Sequence, residues 1–270
     1  MDWGLRSLAA LGALLVLLGV SVAVATGPIA SEPAPAAVSA TPSATPAASP
    51  SQSPTGALPL PSSADVPLAS PVATFIPMEE RPVAVFLGDS ITRGATDPAL
   101  GVVDEFSWFY GLIDDSSGVV RWGGTVADIG MTTAWMAEQA DNALALSPDV
   151  LVVLGGTNDI SGPVTPDDVI ANLQIIKDKA DAYGIRMAVG TVPPRDDPEV
   201  DARAIALNDA LRLWAAEEGV ILLDTARDLR DPLGGWKDGY SGDGVHPTPE
   251  AARLMSNAAA DTLRGIPWGV

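Results

Sequence analysis

Ser90 sits in Gly88-Asp89-Ser90-Ile91-Thr92, and the chain has a single histidine, His246, in Asp243-Gly244-Val245-His246-Pro247. A serine hydroxyl is a weak nucleophile until a neighbouring imidazole takes its proton. The imidazole in turn needs a carboxylate on its other nitrogen to hold the working tautomer. Asp243 stands three residues before His246, with Gly244 between them to ease a tight bend, so its carboxylate can fold back onto the ring. A third stretch, Gly155-Gly156-Thr157-Asn158-Asp159, offers an asparagine amide that can donate to an oxyanion; donors preset in this way are worth about 10²–10³ in rate. Taken singly, these signals have plain alternatives: a lone histidine is usually structural, and Gly-Gly-Thr-Asn-Asp also reads as a turn with an Asx bond. If the three segments converge, the chemistry is acyl transfer through a serine nucleophile.

Convergence depends on the elements that carry these residues. Residues 83–87, bounded by Pro82 and Gly88, read as a buried strand. Ser90 therefore falls at the carboxyl end of a strand, where open α/β sheets bind ligands. A helix is predicted over 106–113 and a second strand over 119–126, weakened by Gly123-Gly124. Thr132 or Thr133 caps a helix that ends before Pro148, and the apolar run 150–154 is a fully buried strand that places Asn158 on the same rim as Ser90. Thr165-Pro166 opens a helix with Val169, Leu173, Ile176, Ala180 and Tyr183 on one face, stopped by Gly184. Strands follow over 185–191 and 220–223, separated by a helix that Asp197-Pro198 opens and Gly219 closes; Thr248-Pro249 caps a last helix over 249–264. Five strands separated by helices imply right-handed βαβ units. The expected fold is α/β: a single doubly wound, flavodoxin-like domain over 81–270 with a five-stranded parallel sheet and no internal repeat.

The formal charge of -19 argues against nucleic-acid or anionic-lipid partners, whose phosphates require Lys and Arg. With no cysteine there is no disulfide, thiolate metal site, cysteine nucleophile or cysteine-borne lipid anchor, and one histidine leaves little for zinc. Residues 7–31 carry no charge, and residues 8–25 are apolar apart from Ser21. That run is longer than a signal-peptide core of about 7–15 residues and slightly short of the ~20 that span a bilayer. Residues 1–26 are therefore a signal peptide, cleaved after Ala23-Val24-Ala25, or an uncleaved anchor; both send the rest of the chain outward. Residues 27–80 hold half of the 24 prolines among Ala, Ser and Thr, a composition for a disordered spacer or stalk rather than a packed core.

On these motifs the chain resembles the SGNH hydrolases, also called the GDSL esterase/lipase family, from about residue 83 to the C-terminus. Gly88-Asp89-Ser90 resembles the family's first block, Gly155-x-x-Asn158-Asp159 its third and Asp243-x-x-His246 its fifth. The resemblance implies Ser90 as nucleophile, His246 as base, Asp243 as the carboxylate that orients it, and an oxyanion hole made by the Ser90 and Gly130 N–H groups with the Asn158 amide. Gly130 is matched to the second block, where the family often has an asparagine two residues earlier and a second glycine later; this chain has Asp128 and no second glycine. The implied activity is ester hydrolysis through an acyl-enzyme, without metal or organic cofactor. The expected substrate is a small-molecule or carbohydrate acyl ester, acted on outside the cell by a monomer that meets a membrane only through residues 1–26. The same site suits an acyltransferase to a sugar hydroxyl, and the same fold suits a surface binding module without activity.

Lesser signals have local readings. The pairs Asp114-Asp115, Asp167-Asp168 and Asp196-Asp197 suit loops and helix starts, and Asp159 suits a structural acceptor. Trp236, with Tyr240 in the loop before Asp243, is a candidate wall for a sugar ring or acyl chain, or simply packs. Trp108, Trp135 and Trp214 are expected in the core.

Overall fold

Four largely aliphatic runs and the more mixed segment Arg121–Ala127 form five parallel strands in the order β2-β1-β3-β4-β5: β1 Val83–Gly88, β2 Arg121–Ala127, β3 Val150–Leu154, β4 Arg186–Gly190 and β5 Ile221–Leu223. The computed structural model describes residues 76–96, 101–114 and 116–269. The leader expected at 1–26, and the linker expected at 27–80 as far as residue 75, lie outside the described residues. The helices are the short α1 (Ser90–Arg93), α2 (Thr133–Leu144), α3 (Pro166–Ala182), α4 (Pro198–Glu218) and α5 (Pro249–Leu263). Among the described residues no helix is long and apolar enough to cross a membrane.

Side chains alternate across the sheet and fill two cores, as period-2 strands buried on both faces must. Val85, Leu87, Leu151, Val153 and Val189 meet α2, α3 and α4. Ala84, Phe86, Val150, Val152 and Leu154 meet α5 and the segment that includes Trp108 and Phe109. Phe86 stacks on Phe109 at 3.8 Å, and Trp108 stands edge-on to both. On α5, alanines 251, 252, 258, 259 and 260 are buried; their small side chains let this helix lie close to the sheet.

Helix ends follow the caps. The Thr165 hydroxyl and the Asp168 carboxylate form a reciprocal capping box on α3. Asp197 caps α4, which Gly219 closes at φ 70°, and Thr248 caps α5. Tyr183, expected on the buried face of α3, lies one residue past its end and is 66% exposed. The predicted second strand begins later than expected, because the Val119 and Val120 N–H groups donate to Leu112 O and not to β1. Gly123 is the bulge where the β1–β2 register slips, and a Cβ there would stand 2.5 Å from Val83 Cγ1.

The predicted helix over 106–113 is a correction. Only Tyr110–Leu112 forms a 3-10 turn. Here the N–H groups reach back three residues (Tyr110 to Ser107, Leu112 to Phe109), and the Trp108 N–H is diverted to Ile91 O. The α-helical bonds this stretch would need are thereby replaced, and Trp108 is anchored against the turn that carries Ser90.

Candidate active site

Three strands end in line. Gly88 pairs with Ala127 on one side and with Leu154 on the other, so Ser90, Gly130 and Asn158 follow strand ends at one level. Ser90 and Asn158 flank the point where strand order reverses between β1 and β3, the place where such sheets bind ligands.

Ser90 opens α1. Asp89 caps that helix by accepting from Ile91 N–H at 2.9 Å, and Gly88 permits the bend: a Cβ on it would stand 2.2 Å from Thr92 Oγ1 and 2.8 Å from Leu154 O. Ser90 Oγ lies 2.9 Å from His246 Nε2, and His246 Nδ1 lies 2.7 Å from Asp243 Oδ2. Burial would raise the Asp243 pKa. The His246 backbone N–H, the imidazole and the Val245 N–H outweigh it and hold the carboxyl well below the usual range. An ionised Asp243 requires a proton on Nδ1, which leaves the Nε2 lone pair to accept the Ser90 hydroxyl proton.

The loop carrying the pair is pinned at both sides. Ser241 bridges Pro247 antiparallel, Ser241 Oγ donates to His246 O at 2.8 Å, and Thr248 N donates to Tyr240 O at 2.9 Å. Asp196 N donates to Gly244 O, and Asp196 fills the space where a Cβ on Gly244 (φ 74°) would sit, 2.8 Å away.

The Asn158 amide donates to Met131 O at 2.9 Å; its other contact, to Asp89 Oδ2, is long at 3.5 Å. With two N–H groups to give, the amide is braced by one and keeps the other for an oxyanion. The Met131 contact also sets Gly130, at φ 76° in the exposed turn between Ile129 and Met131. Asp128, where the resemblance leads one to expect asparagine, accepts from Ile129 N–H and pairs with Arg93 at 3.3 Å, tying this turn to α1. Asp159 is buried and accepts from the Thr133 N–H and hydroxyl, so it caps α2 from outside, while Thr132 makes no side-chain cap.

A pocket of about 350 Å³ opens beside Ser90 and His246, walled by Ile91, Ala95, Phe106, Ile129 and Pro247. Trp236, a candidate ring-binding wall or packing residue by sequence, does not line it. It is 7% exposed and packed in the α5-side core, and Tyr240 packs partly against the same cluster. Asp89, unassigned from sequence, is fully buried next to Ser90. Burial pushes its pKa up to about 7, against the opposing pull of Ile91 N–H and of His246. Its neighbours Gly88 and Ser90 hid this, since a carboxylate before a helix reads as an ordinary cap.

The match to known proteins now has its geometric counterpart. The chain belongs to the GDSL-like Lipase/Acylhydrolase family, which it matches over residues 86–254. Solved structures share the fold. A GDSL-like lipase from Bacteroides thetaiotaomicron is 19% identical with TM-score 0.56, over 71% of this chain and 92% of that one. An acetylxylan esterase from Geobacillus stearothermophilus is 19% identical with TM-score 0.55, over 69% and 95%. A lipolytic G-D-S-L protein from Veillonella parvula is 18% identical with TM-score 0.53, over 68% and 99%. A search of curated proteins found no match. Family and fold make the chain a hydrolase acting on esters.

Proposed function

We propose that the protein is an exported serine esterase that releases short acyl groups from hydroxyl-rich substrates, carbohydrates among them. The observation that carries this reading is the Ser90–His246–Asp243 relay at 2.9 and 2.7 Å beside an apolar pocket. Ser90 Oγ attacks the ester carbonyl carbon as its proton passes to His246 Nε2. The oxyanion is received by the Ser90 and Gly130 N–H groups and the Asn158 amide. His246 then gives the proton to the leaving alkoxide, and water repeats the sequence on the acyl-enzyme. The apolar pocket takes the acyl group, while the side chains of His246 and Asp243 are about half exposed, which leaves room for a bulky alcohol. That the fold also serves an acetylxylan esterase supports the carbohydrate assignment; the apolar residues 8–25 and the proline-rich spacer support export, with the domain working as a monomer outside the cell.

The test is hydrolysis of p-nitrophenyl acetate and longer esters, then acetate release from acetylated oligosaccharide, by wild type and Ser90→Ala. The variant is expected to lose on the order of 10⁴-fold or more in kcat. Equal rates in both proteins would remove Ser90 from the reaction, and acylated oligosaccharide in place of free acid would make the enzyme a transferase.

A further inference from the structure

A second cavity, of about 290 Å³, opens between α5 and the segment 105–117. It adjoins the pocket at Ser90 through two stretches of chain. Phe106 walls the pocket, and its neighbours Glu105 and Ser107 line the cavity; Pro247 walls the pocket, and Pro249, two residues on, lines the cavity. The two concavities thus share a wall. The floor of the second is braced. Residues 249, 252, 253, 256 and 257 of α5 all face it, the spacing of one helix face. Ser256 Oγ is buried, donates to Trp108 O at 2.6 Å and accepts from Gly111 N–H at 3.1 Å, which fixes α5 to the Tyr110–Leu112 turn. Tyr110 stands on that turn at the cavity, 45% exposed.

The polar groups around this ring have no partner inside the chain. Among the described residues, every other Lys and Arg side chain bonds a carboxylate or a backbone carbonyl, whereas Arg253 bonds neither. The side chains of Glu105 and Asn257 and the Tyr110 hydroxyl are likewise unbonded among the described residues, and Arg253 and Glu105 do not pair with each other. Asp114, the other acid of the cavity, commits its carboxylate to Ser116 and Ser117. A solvated polar side chain is ordinary by itself. Here a cation, an anion and an amide converge on one braced concavity beside an exposed ring. Charges of both signs favour neither an anion nor a cation as ligand. The lining suits a neutral molecule whose hydroxyls both donate and accept and whose apolar face meets the ring.

We infer that this cavity is a subsite for a neutral sugar unit, so that the preferred substrate is an oligosaccharide with its ester-bearing unit at Ser90 and a neighbouring unit against Tyr110. The inference rests on the esterase reading. Tyr110 takes the face of the sugar ring, Arg253 donates to its hydroxyls, Glu105 accepts from them, and Asn257 does either. An acyl ester of a single sugar reaches only the pocket at Ser90 and forgoes these contacts.

The experiment measures binding without turnover. Full-length Ser90→Ala protein is titrated calorimetrically with xylotetraose, with cellotetraose and with the two monosaccharides. At least one tetraose is expected to bind, about tenfold or more tighter than its monosaccharide. Tyr110→Ala and Arg253→Ala should each weaken that binding about tenfold. Tyr110→Phe, which keeps the ring, should retain most of it; the thermal midpoint checks that each variant folds. With Ser90 restored, the two alanine variants should lower kcat/KM for acetylated xylotetraose about tenfold relative to that for p-nitrophenyl acetate. Failure of both tetraoses to bind, or binding that neither alanine variant weakens, would overturn the subsite. A galacturonic-acid tetrasaccharide binding more tightly than the neutral tetraoses would overturn the neutral assignment. If a tetraose binds as expected while wild type hydrolyses no ester, the subsite stands and the esterase reading fails; if acetate is released but no tetraose binds, the reverse holds.

Discussion

Asp89 is the residue whose removal should improve the molecule while touching the catalytic turn. Its carboxyl is fully buried beneath Ser90, and burial raises its pKa from the ordinary 3.8 to about 7. At about 1.36 kcal/mol per pH unit, the gap corresponds to roughly 4 kcal/mol. The direction follows from proton counting. Between about pH 4 and 7 the folded state holds the Asp89 proton and the unfolded state has released it. Asp89 therefore favours the folded state at low pH, and that contribution is lost as pH rises through about 7. Asp89→Asn keeps a side-chain oxygen to cap Ile91 N–H and cannot ionise. Urea unfolding of both proteins, at steps from about pH 4 to 8.5, should give free-energy curves that diverge between about pH 4 and 7 and hold their gap above that, with the variant gaining on wild type by up to roughly 4 kcal/mol. Other titrating groups are common to both proteins and cancel in the difference. Parallel curves would refute the reasoning, since they would mean that Asp89 carries its charge at no cost where it lies.

The remaining outcomes concern rate, pocket and turn. Asn158→Ala should lower kcat by about 10²–10³ with little change in KM; a loss below about tenfold would mean that the amide serves only to brace Met131. Phe106→Ala should widen the pocket and shift preference toward longer acyl chains, by up to about fourfold in kcat/KM per added methylene, from about 0.8 kcal/mol per buried CH₂; an unchanged p-nitrophenyl ester profile would place the acyl group elsewhere. Gly88→Ala forces a methyl onto Thr92 Oγ1 and Leu154 O. A cost of about 1–3 kcal/mol should appear in calorimetry as a thermal midpoint several degrees lower, and an unshifted midpoint would show that the turn can open.

The strands and capped helices were legible because each is announced locally. Val150–Leu154 is apolar throughout, and Thr165-Pro166, Asp197-Pro198 and Thr248-Pro249 mark their helix starts. Ser90 and Asn158 were legible as residue types at strand ends, and His246 as the single histidine, three residues after Asp243. What escaped was set by contacts distant in sequence. The helical periodicity of 106–113 gave way when Trp108 N–H found Ile91 O. The α2 cap was sought at Thr132 or Thr133 and lies in Asp159. Trp236 was read from its loop, whereas its ring turned inward to the core.

Ser90 and His246 stand 156 positions apart along the chain, whereas His246 and Asp243 are three apart in a hairpin joined directly to α5. A polypeptide emerging amino-end first thus displays its serine long before the imidazole exists to activate it. Because the loop bearing Asp243 and His246 leads straight into α5, it is the packing of that alanine-lined helix on the sheet that holds the imidazole 2.9 Å from Ser90 Oγ.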